Sequence, residues 1–160
     1  MSAVTGSVFD PAFVRVGVSA ADATALLGAM ADGLHAAGHV RASYKEALLA
    51  REERFPTGLP TQVMAVAIPH TDVEHVERSF ISVARLAEPV AFHEMGANAR
   101  TVDVQLVCML AIADRSSQLG TLQALIGMFS DQAVMERLRD APDDRALYDV
   151  VIQQVGTLAA

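Results

Sequence analysis

The chain has 160 residues, 52% of them hydrophobic, and a formal net charge of -7 at pH 7. This length suits one domain with its own core, and the single cysteine, Cys108, excludes an internal disulfide framework and a cysteine-based zinc site. The sparse, unclustered basic residues argue against nucleic-acid binding, and the lack of a membrane-length apolar run or a signal peptide leads us to expect a cytoplasmic protein.

The first third of the chain predicts a strand followed by two helices. Residues 13–16 are strand-like. Ser19 can cap the first helix with Asp22 as its reciprocal partner, three residues later. Apolar residues then recur at helical spacing as far as Gly38, which is a plausible helix end. The second helix is predicted over residues 43–54.

The middle of the chain predicts a linker and then several strands. The linker, residues 55–61, contains two prolines and a glycine. The strands are predicted from apolar and β-branched runs over residues 63–68, 79–86, 90–92 and 102–112. The last of these is the most apolar run in the sequence, so we expect it to form a central strand, whereas residues 90–92 suit a short edge strand.

Helices dominate the last third of the chain. A capping loop precedes a helix predicted over residues 118–129, and Asp131 and Asp143 are expected to cap two further helices. Helices, strands and then helices again predict an α/β fold. We expect a single domain over residues 10–156, in which helices flank a mixed β-sheet, after an N-terminal tail of residues 1–9.

The stretch AVAIPHTD, residues 65–72, places a histidine directly after a predicted buried strand. Pro69 has no N–H for a neighbouring strand, so the strand should end there and leave His70 at its carboxyl end, where open α/β sheets bind ligands. The ring can bind a metal, act as an acid or base, or attack as a nucleophile, or it is only a polar loop residue. His75 lies five positions away, which points the two rings to different sides of a helix or strand, so no metal is expected.

Three segments together resemble a known signature. Arg51-Glu52-Glu53, Thr57-Gly58-Leu59 and Ala67-Ile68-Pro69-His70 resemble, in this order, the enzyme IIA domains of the bacterial phosphotransferase system, in the fructose/mannitol superfamily. The resemblance covers residues 10–155. It implies that His70 accepts a phosphoryl group, through Nε2, from the histidine-containing phosphocarrier protein and passes it to a cysteine of enzyme IIB. Such a phosphotransferase requires no cofactor of its own.

One position departs from the pattern of many family members. Where they carry a histidine before a leucine, this sequence has Gln118-Leu119. A glutamine amide can donate to a phosphoryl oxygen but cannot titrate, and we expect it in the first helical turn, where free N–H groups suit a phosphoryl group. Gln118 and the segment 92–96, FHEMG, are similar to the galactitol-type branch, which implies a role in galactitol-like sugar uptake. The alternative is a nitrogen-regulatory enzyme IIA that acts as a phosphorylation-dependent switch.

Arg51, Thr57 and Gly58 are the other candidate site residues. A guanidinium can bind phosphate oxygens through two parallel hydrogen bonds. The resemblance favours this role for Arg51 over a surface ion pair with a nearby glutamate. Thr57 and Gly58 either supply a hydroxyl or a backbone N–H to the phosphoryl group or only form a turn. Cys108 lies in the most apolar run and is expected in the core.

A carrier that passes a phosphoryl group between two proteins needs one surface that docks both in turn. We expect a mainly apolar patch around the histidine that includes Leu59, Met64 or Met95. Asp72 and Glu74 are expected on its rim, where they would meet basic residues of the phosphocarrier.

Overall fold

Residues 8–156 of the chain are described by a computed structural model. The strands and helices in chain order are β1 Val14–Val18, α1 Ala23–Ala36, α2 Tyr44–Arg54, β2 Gly58–Leu59, β3 Ala65–Ala67, β4 Phe80–Glu94, β5 Ala97–Ala111, α3 Arg115–Phe129, α4 Gln132–Asp140 and α5 Asp144–Val155. Short 3₁₀ turns cover Pro11–Phe13 and Val73–His75.

The sheet is built around a long antiparallel hairpin of β4 and β5. On one side of the hairpin β1 pairs parallel with β4, and on the other β3 pairs parallel with β5. The two-residue strand β2 pairs antiparallel with β3, and Gly58 also pairs with Glu94 at the end of β4. The sheet is therefore mixed, and the predicted single α/β domain is confirmed.

Helices cover both faces of this sheet and bury two hydrophobic clusters. Successive residues of β5 alternate between the clusters, as the two-residue period of a strand requires. Cys108 and Leu110 pack with residues of α3, α4 and α5, whereas Val107 and Met109 pack with residues of α1 and α2. Cys108 is thus a core residue, as expected, and its burial raises the pKa of the thiol.

Aspartates cap four of the helices, and two of these helix starts differ from the sequence prediction. Asp22 itself caps α1 and accepts the N–H of Ala25 at 2.8 Å, so the proposed cap at Ser19 is wrong. Asp114 caps α3, which therefore begins three residues before the predicted start at residue 118. Asp131 and Asp143 cap α4 and α5 as predicted.

The strand predictions identified residues of β4 and β5 but divided β4 into two strands. Segments 79–86 and 90–92 belong to one strand, β4, and residues 90–92 are not a separate edge strand. The register of the β4–β5 ladder shifts between Arg85 and Val90. This irregularity accommodates Pro89, which has no N–H for the ladder.

Two further predictions near the N-terminus and the linker need correction. The predicted linker, residues 55–61, contains β2, and the predicted strand over 63–68 is shortened to β3. Val8 and Phe9 were assigned to the tail but are buried in the core, and Val8 O accepts the N–H of Ile81 at 2.8 Å. Residues 1–7 lie outside the described part of the chain. No helix within residues 8–156 is long and apolar enough to cross a membrane.

Candidate functional site

His70 lies just beyond the end of β3, as the sequence predicts. The N–H of Leu110 in β5 donates to Pro69 O at 3.0 Å, which fixes the backbone immediately before the histidine. The ring is partly buried, and its Nδ1 lies 2.8 Å from Ile68 O. Because a carbonyl oxygen only accepts hydrogen bonds, Nδ1 must carry the proton. The neutral ring then has its lone pair on Nε2.

The surroundings of His70 keep its ring neutral. Burial is the main cause and lowers its pKa, and the positive charge of Arg51 acts in the same direction. The hydrogen bond to Ile68 and the charge of Asp72 oppose this shift without reversing it. The ring is therefore a neutral nucleophile at pH 7.

Arg51, in the last turn of α2, points its guanidinium toward the same site. Its Nη1 lies 3.9 Å from Asp72 Oδ1, which is a loose ion pair, and its Cζ lies 5.4 Å from the ring centroid of Phe55. Its Nε is buried and has no hydrogen-bond partner among residues 8–156. The guanidinium thus retains donor capacity for an anion near His70.

Gln118 reaches the histidine loop from the first turn of α3. Its Nε2 donates to Thr71 O at 3.0 Å. The backbone N–H of Gln118 is not free, since it donates to Asp114 O at 2.9 Å. The expectation that free helix N–H groups lie at Gln118 is wrong, because α3 begins earlier than predicted. The side chain holds the backbone one residue after His70 instead.

The structure gives Thr57 a partner that the sequence analysis missed. Its backbone N–H donates to Glu52 Oε2 at 2.8 Å, and its hydroxyl donates to Glu52 Oε1 at 2.9 Å. Both donor groups of Thr57 are therefore occupied by one carboxylate, which argues against its use as a phosphate donor. Burial raises the pKa of Glu52, and the two bonds from Thr57 oppose that shift.

Gly58 lies in a strand and not in a turn. A Cβ added there would lie 2.6 Å from His93 O and 2.8 Å from a methyl carbon of Val102. Its carbonyl accepts the N–H of Met95 at 2.8 Å. Glycine is thus required at this position by the close approach of β2 to the hairpin, and this contact replaces the turn or phosphate contact that we expected.

The other histidines do not converge on His70. His75 Nδ1 lies 2.8 Å from Ser43 Oγ, an interaction that joins the segment after His70 to the start of α2. His93 is exposed on β4. Within the described residues, no group of three or more histidine, cysteine or acidic side chains is arranged to hold a metal ion.

The apolar surface near the site differs from the expected patch. Met64 is buried, at 4% exposure, so it cannot contact a partner protein. Leu119, directly after Gln118, is 60% exposed, and Ile126, seven residues later on the same helix, is 43% exposed. Ile126 and Leu59 line one cleft of about 360 Å³ between α3 and the β2–β3 loop. Within residues 8–156, the other large exposed apolar side chains are Phe55, beyond α2, and Met95, which is 37% exposed and belongs to the predicted patch.

Comparisons with known proteins identify the family of the chain. Residues 7–154 match the family described as phosphoenolpyruvate-dependent sugar phosphotransferase system, EIIA 2. The galactitol-specific EIIA component of Escherichia coli K12 is 33% identical over 131 residues, which are 82% of this chain and 87% of that protein. A nitrogen regulatory protein of Pseudomonas aeruginosa is 31% identical over 107 residues, 67% of this chain and 66% of that protein.

The fold is also found among solved structures. One chain of the complex of enzyme IIAMTL and phosphorylated enzyme IIBMTL from Escherichia coli superposes with a TM-score of 0.73. The match covers 91% of this chain and 99% of that chain at 22% identity. At this identity the likeness concerns the fold alone.

Proposed function

Since the chain belongs to the EIIA 2 family of the phosphoenolpyruvate-dependent sugar phosphotransferase system, we propose that it is a cytoplasmic phosphocarrier that works through His70. Its donor is the histidine-containing phosphocarrier protein, and its acceptor is a cysteine of enzyme IIB. The sequence is similar to a galactitol-specific component, so we assign the relay to uptake of a galactitol-like sugar.

The observation that carries this proposal is the contact between His70 Nδ1 and Ile68 O at 2.8 Å. It leaves Nε2 as the nucleophile. In the first step the Nε2 lone pair attacks the phosphorus of the donor phosphohistidine, and the donor N–P bond breaks as the new N–P bond forms. In the second step a cysteine thiolate of enzyme IIB attacks the same phosphorus, and His70 leaves. Both steps depend mainly on in-line positioning and charge stabilisation.

Arg51 and Gln118 supply that stabilisation from two sides. The guanidinium of Arg51 binds phosphoryl oxygens, and its loose contact with Asp72, at 3.9 Å, is weak enough to be given up. Gln118 holds Thr71 O through one N–H, and its amide nitrogen keeps a second N–H for the phosphoryl group. Thr57 and Gly58 act indirectly, through the placement of β2.

The partner proteins dock on the surface around these residues. Leu119 and Ile126 of α3 and Phe55 beyond α2 provide exposed apolar contacts. Asp72 and Glu74 are exposed acidic residues that would meet basic residues of the phosphocarrier. Both partners use this surface in turn, so each complex must be transient.

The test is to incubate the purified protein with phosphoenolpyruvate, enzyme I and the phosphocarrier, and to measure intact mass and the phosphorus NMR spectrum. We expect one acid-labile phosphoryl group, which is absent in His70→Gln. His75→Gln is the matched control, because that ring is bonded to Ser43 and is not in the relay. An unmodified wild-type protein beside a fully charged phosphocarrier would contradict the proposal.

A regulatory switch is the second candidate function, because the nitrogen regulatory protein of Pseudomonas aeruginosa is also similar, at 31% identity. In that case His70 would be phosphorylated but would not pass the group on to a sugar-specific enzyme IIB. The discriminating measurements are the transfer of labelled phosphate to a purified galactitol-type enzyme IIB and a search for enzyme IIB and IIC genes beside the gene for this chain. Rapid transfer favours the sugar carrier, and a stable phosphorylated protein with no neighbouring enzyme IIB or IIC favours the switch.

A further inference from the structure

A half-buried carboxylate closes the short loop between Arg51 and β2. Glu52 accepts the backbone N–H of Thr57 at 2.8 Å and the hydroxyl of Thr57 at 2.9 Å. Two hydrogen bonds to one carboxylate fix its orientation as well as its distance. We propose that Glu52 is a positioning residue that sets the placement of Arg51 relative to His70. This inference rests on the proposed function of those two residues.

The loop closed by Glu52 and Thr57 contains a residue that contacts Arg51. Residues 52–57 include Phe55, whose ring centroid lies 5.4 Å from the Arg51 Cζ atom. The N–H of Phe55 also donates to Arg51 O at 2.7 Å. Because Phe55 lies between the two residues that this contact joins, the Glu52–Thr57 contact restricts the backbone that carries the ring beside the guanidinium.

The Glu52–Thr57 contact is also linked to His70, through the pairing of β2 with β3. Thr57 is followed by Gly58, which pairs with Ala67 of β3. Ala67 precedes Ile68, whose carbonyl oxygen is 2.8 Å from His70 Nδ1. A displacement of Thr57 therefore moves the backbone that orients the imidazole. Small displacements of this kind reduce the rate of a reaction that depends on alignment.

The place of Glu52 on α2 suits a side chain that is half-buried and still accepts hydrogen bonds. Glu52 follows Tyr44 and Leu48 at four-residue intervals, on the face of α2 that packs against the sheet. An apolar side chain there would leave the N–H and the hydroxyl of Thr57, which is 4% exposed, without an acceptor, so the contact also contributes to stability. What a carboxylate adds is an acceptor for both donors of Thr57.

The test compares three variants in steady-state charging by the phosphocarrier. Glu52→Ala removes both contacts with Thr57, whereas Glu52→Gln keeps two, because its amide oxygen can accept the N–H and its amide nitrogen can donate to the hydroxyl oxygen. Glu53→Ala is the matched control, since Glu53 is an exposed carboxylate on the same helix. Each rate is divided by the folded fraction measured by circular dichroism.

We expect Glu52→Ala to lower kcat on the order of 10-fold, because the alignment of Arg51 and His70 changes. The KM for the phosphocarrier should rise by a smaller factor, because only Phe55 of the proposed docking residues lies in the loop that Glu52 closes. Glu52→Gln should restore most of the lost kcat. A kcat for Glu52→Ala equal to that of Glu53→Ala would overturn the inference. So would a Glu52→Gln variant as slow as Glu52→Ala, since the charge and not the hydrogen-bonded geometry would then matter.

A second readout needs no partner protein. In the unphosphorylated protein, nitrogen NMR reports the Nδ1–H tautomer of His70 and the Nε–H signal of Arg51. We expect both to change in Glu52→Ala and to remain in Glu53→Ala and Glu52→Gln. If the phosphocarrier fails to charge the wild-type protein, the proposed function is wrong, yet these spectra still decide the positioning role. Unchanged spectra in Glu52→Ala would refute that role.

Discussion

Gly58→Ala tests the close packing that holds β2 at the site. The added Cβ would lie 2.6 Å from His93 O, whereas ordinary contacts begin at 3.4 Å, so the two backbones must separate by about 0.8 Å. Overpacking of this kind costs about 1–3 kcal/mol of unfolding free energy. The separation would also weaken the bond from Met95 N–H to Gly58 O, now 2.8 Å long, so we expect the upper part of that range.

Urea denaturation and thermal melting measure this change. For a domain of this size, a loss of 1–3 kcal/mol lowers the melting midpoint by roughly 2–12 °C. Gly127→Ala is the matched control, because a Cβ at that position of α3 would meet nothing within 4 Å. There the same substitution should stabilise the protein by about 0.5–1 kcal/mol, since alanine is the better helix former.

The two substitutions should change the unfolding free energy in opposite directions, which distinguishes close packing at Gly58 from a general effect of replacing glycine. If Gly58→Ala changed the unfolding free energy by less than about 0.5 kcal/mol, which is the usual range for surface substitutions, the close approach of β2 to β4 would be refuted. Gly58 would then return to the role of a turn residue or a backbone donor to the phosphoryl group.

Three further predictions concern the anchoring, ionisation and docking of the site. Tyr44→Phe removes the O–H that donates to the buried Leu110 carbonyl at 2.6 Å, so urea denaturation should show a loss of about 1–3 kcal/mol. Burial lowers the pKa of His70, so its phosphorylation rate should hold as pH falls through the usual histidine value and drop only below it. The unfolded chain protonates His70 at a higher pH than the folded protein does. The free energy of unfolding should therefore fall as the pH drops from the usual histidine pKa to the lowered pKa of the folded protein, and acid titrations measure this loss. Glu74→Lys should slow charging by the phosphocarrier at low salt, and stopped-flow rates should converge with wild type at high salt; Glu136→Lys, on α4, is the control.

Local patterns in the sequence predicted most of the fold. Asp131 and Asp143 each precede an amphipathic run, so both helix caps could be assigned by a local rule. The first helix was less clear because Ser19 and Asp22 are both good capping residues, and the structure uses the second. Pro89 interrupts the β-forming pattern in the sequence, so β4 is predicted as two strands. The structure shows one strand, because the residues on both sides of Pro89 pair with β5.

The position of His70 was the part of the candidate site that the sequence alone predicted. His70 follows a proline that ends a strand, and this local chemistry gave its position. The partner of Gln118 was not predictable, because Thr71 lies 47 residues earlier and is brought close only by the tertiary fold. The partner of Thr57 lies only five residues away, but the sequence does not show how the chain turns between α2 and β2. Glu52 did leave a signal, since it continues the four-residue spacing of Tyr44 and Leu48 on the buried face of α2.

The proposed relay is tested most directly by identifying which nitrogen of His70 bears the phosphoryl group. Nitrogen-15 and phosphorus NMR of the charged protein distinguish an Nε2–P bond from an Nδ1–P bond. The 2.8 Å contact between Nδ1 and Ile68 O predicts phosphorylation at Nε2, with the Nδ1–H signal retained. A phosphoryl group on Nδ1, or on another side chain, would contradict the account.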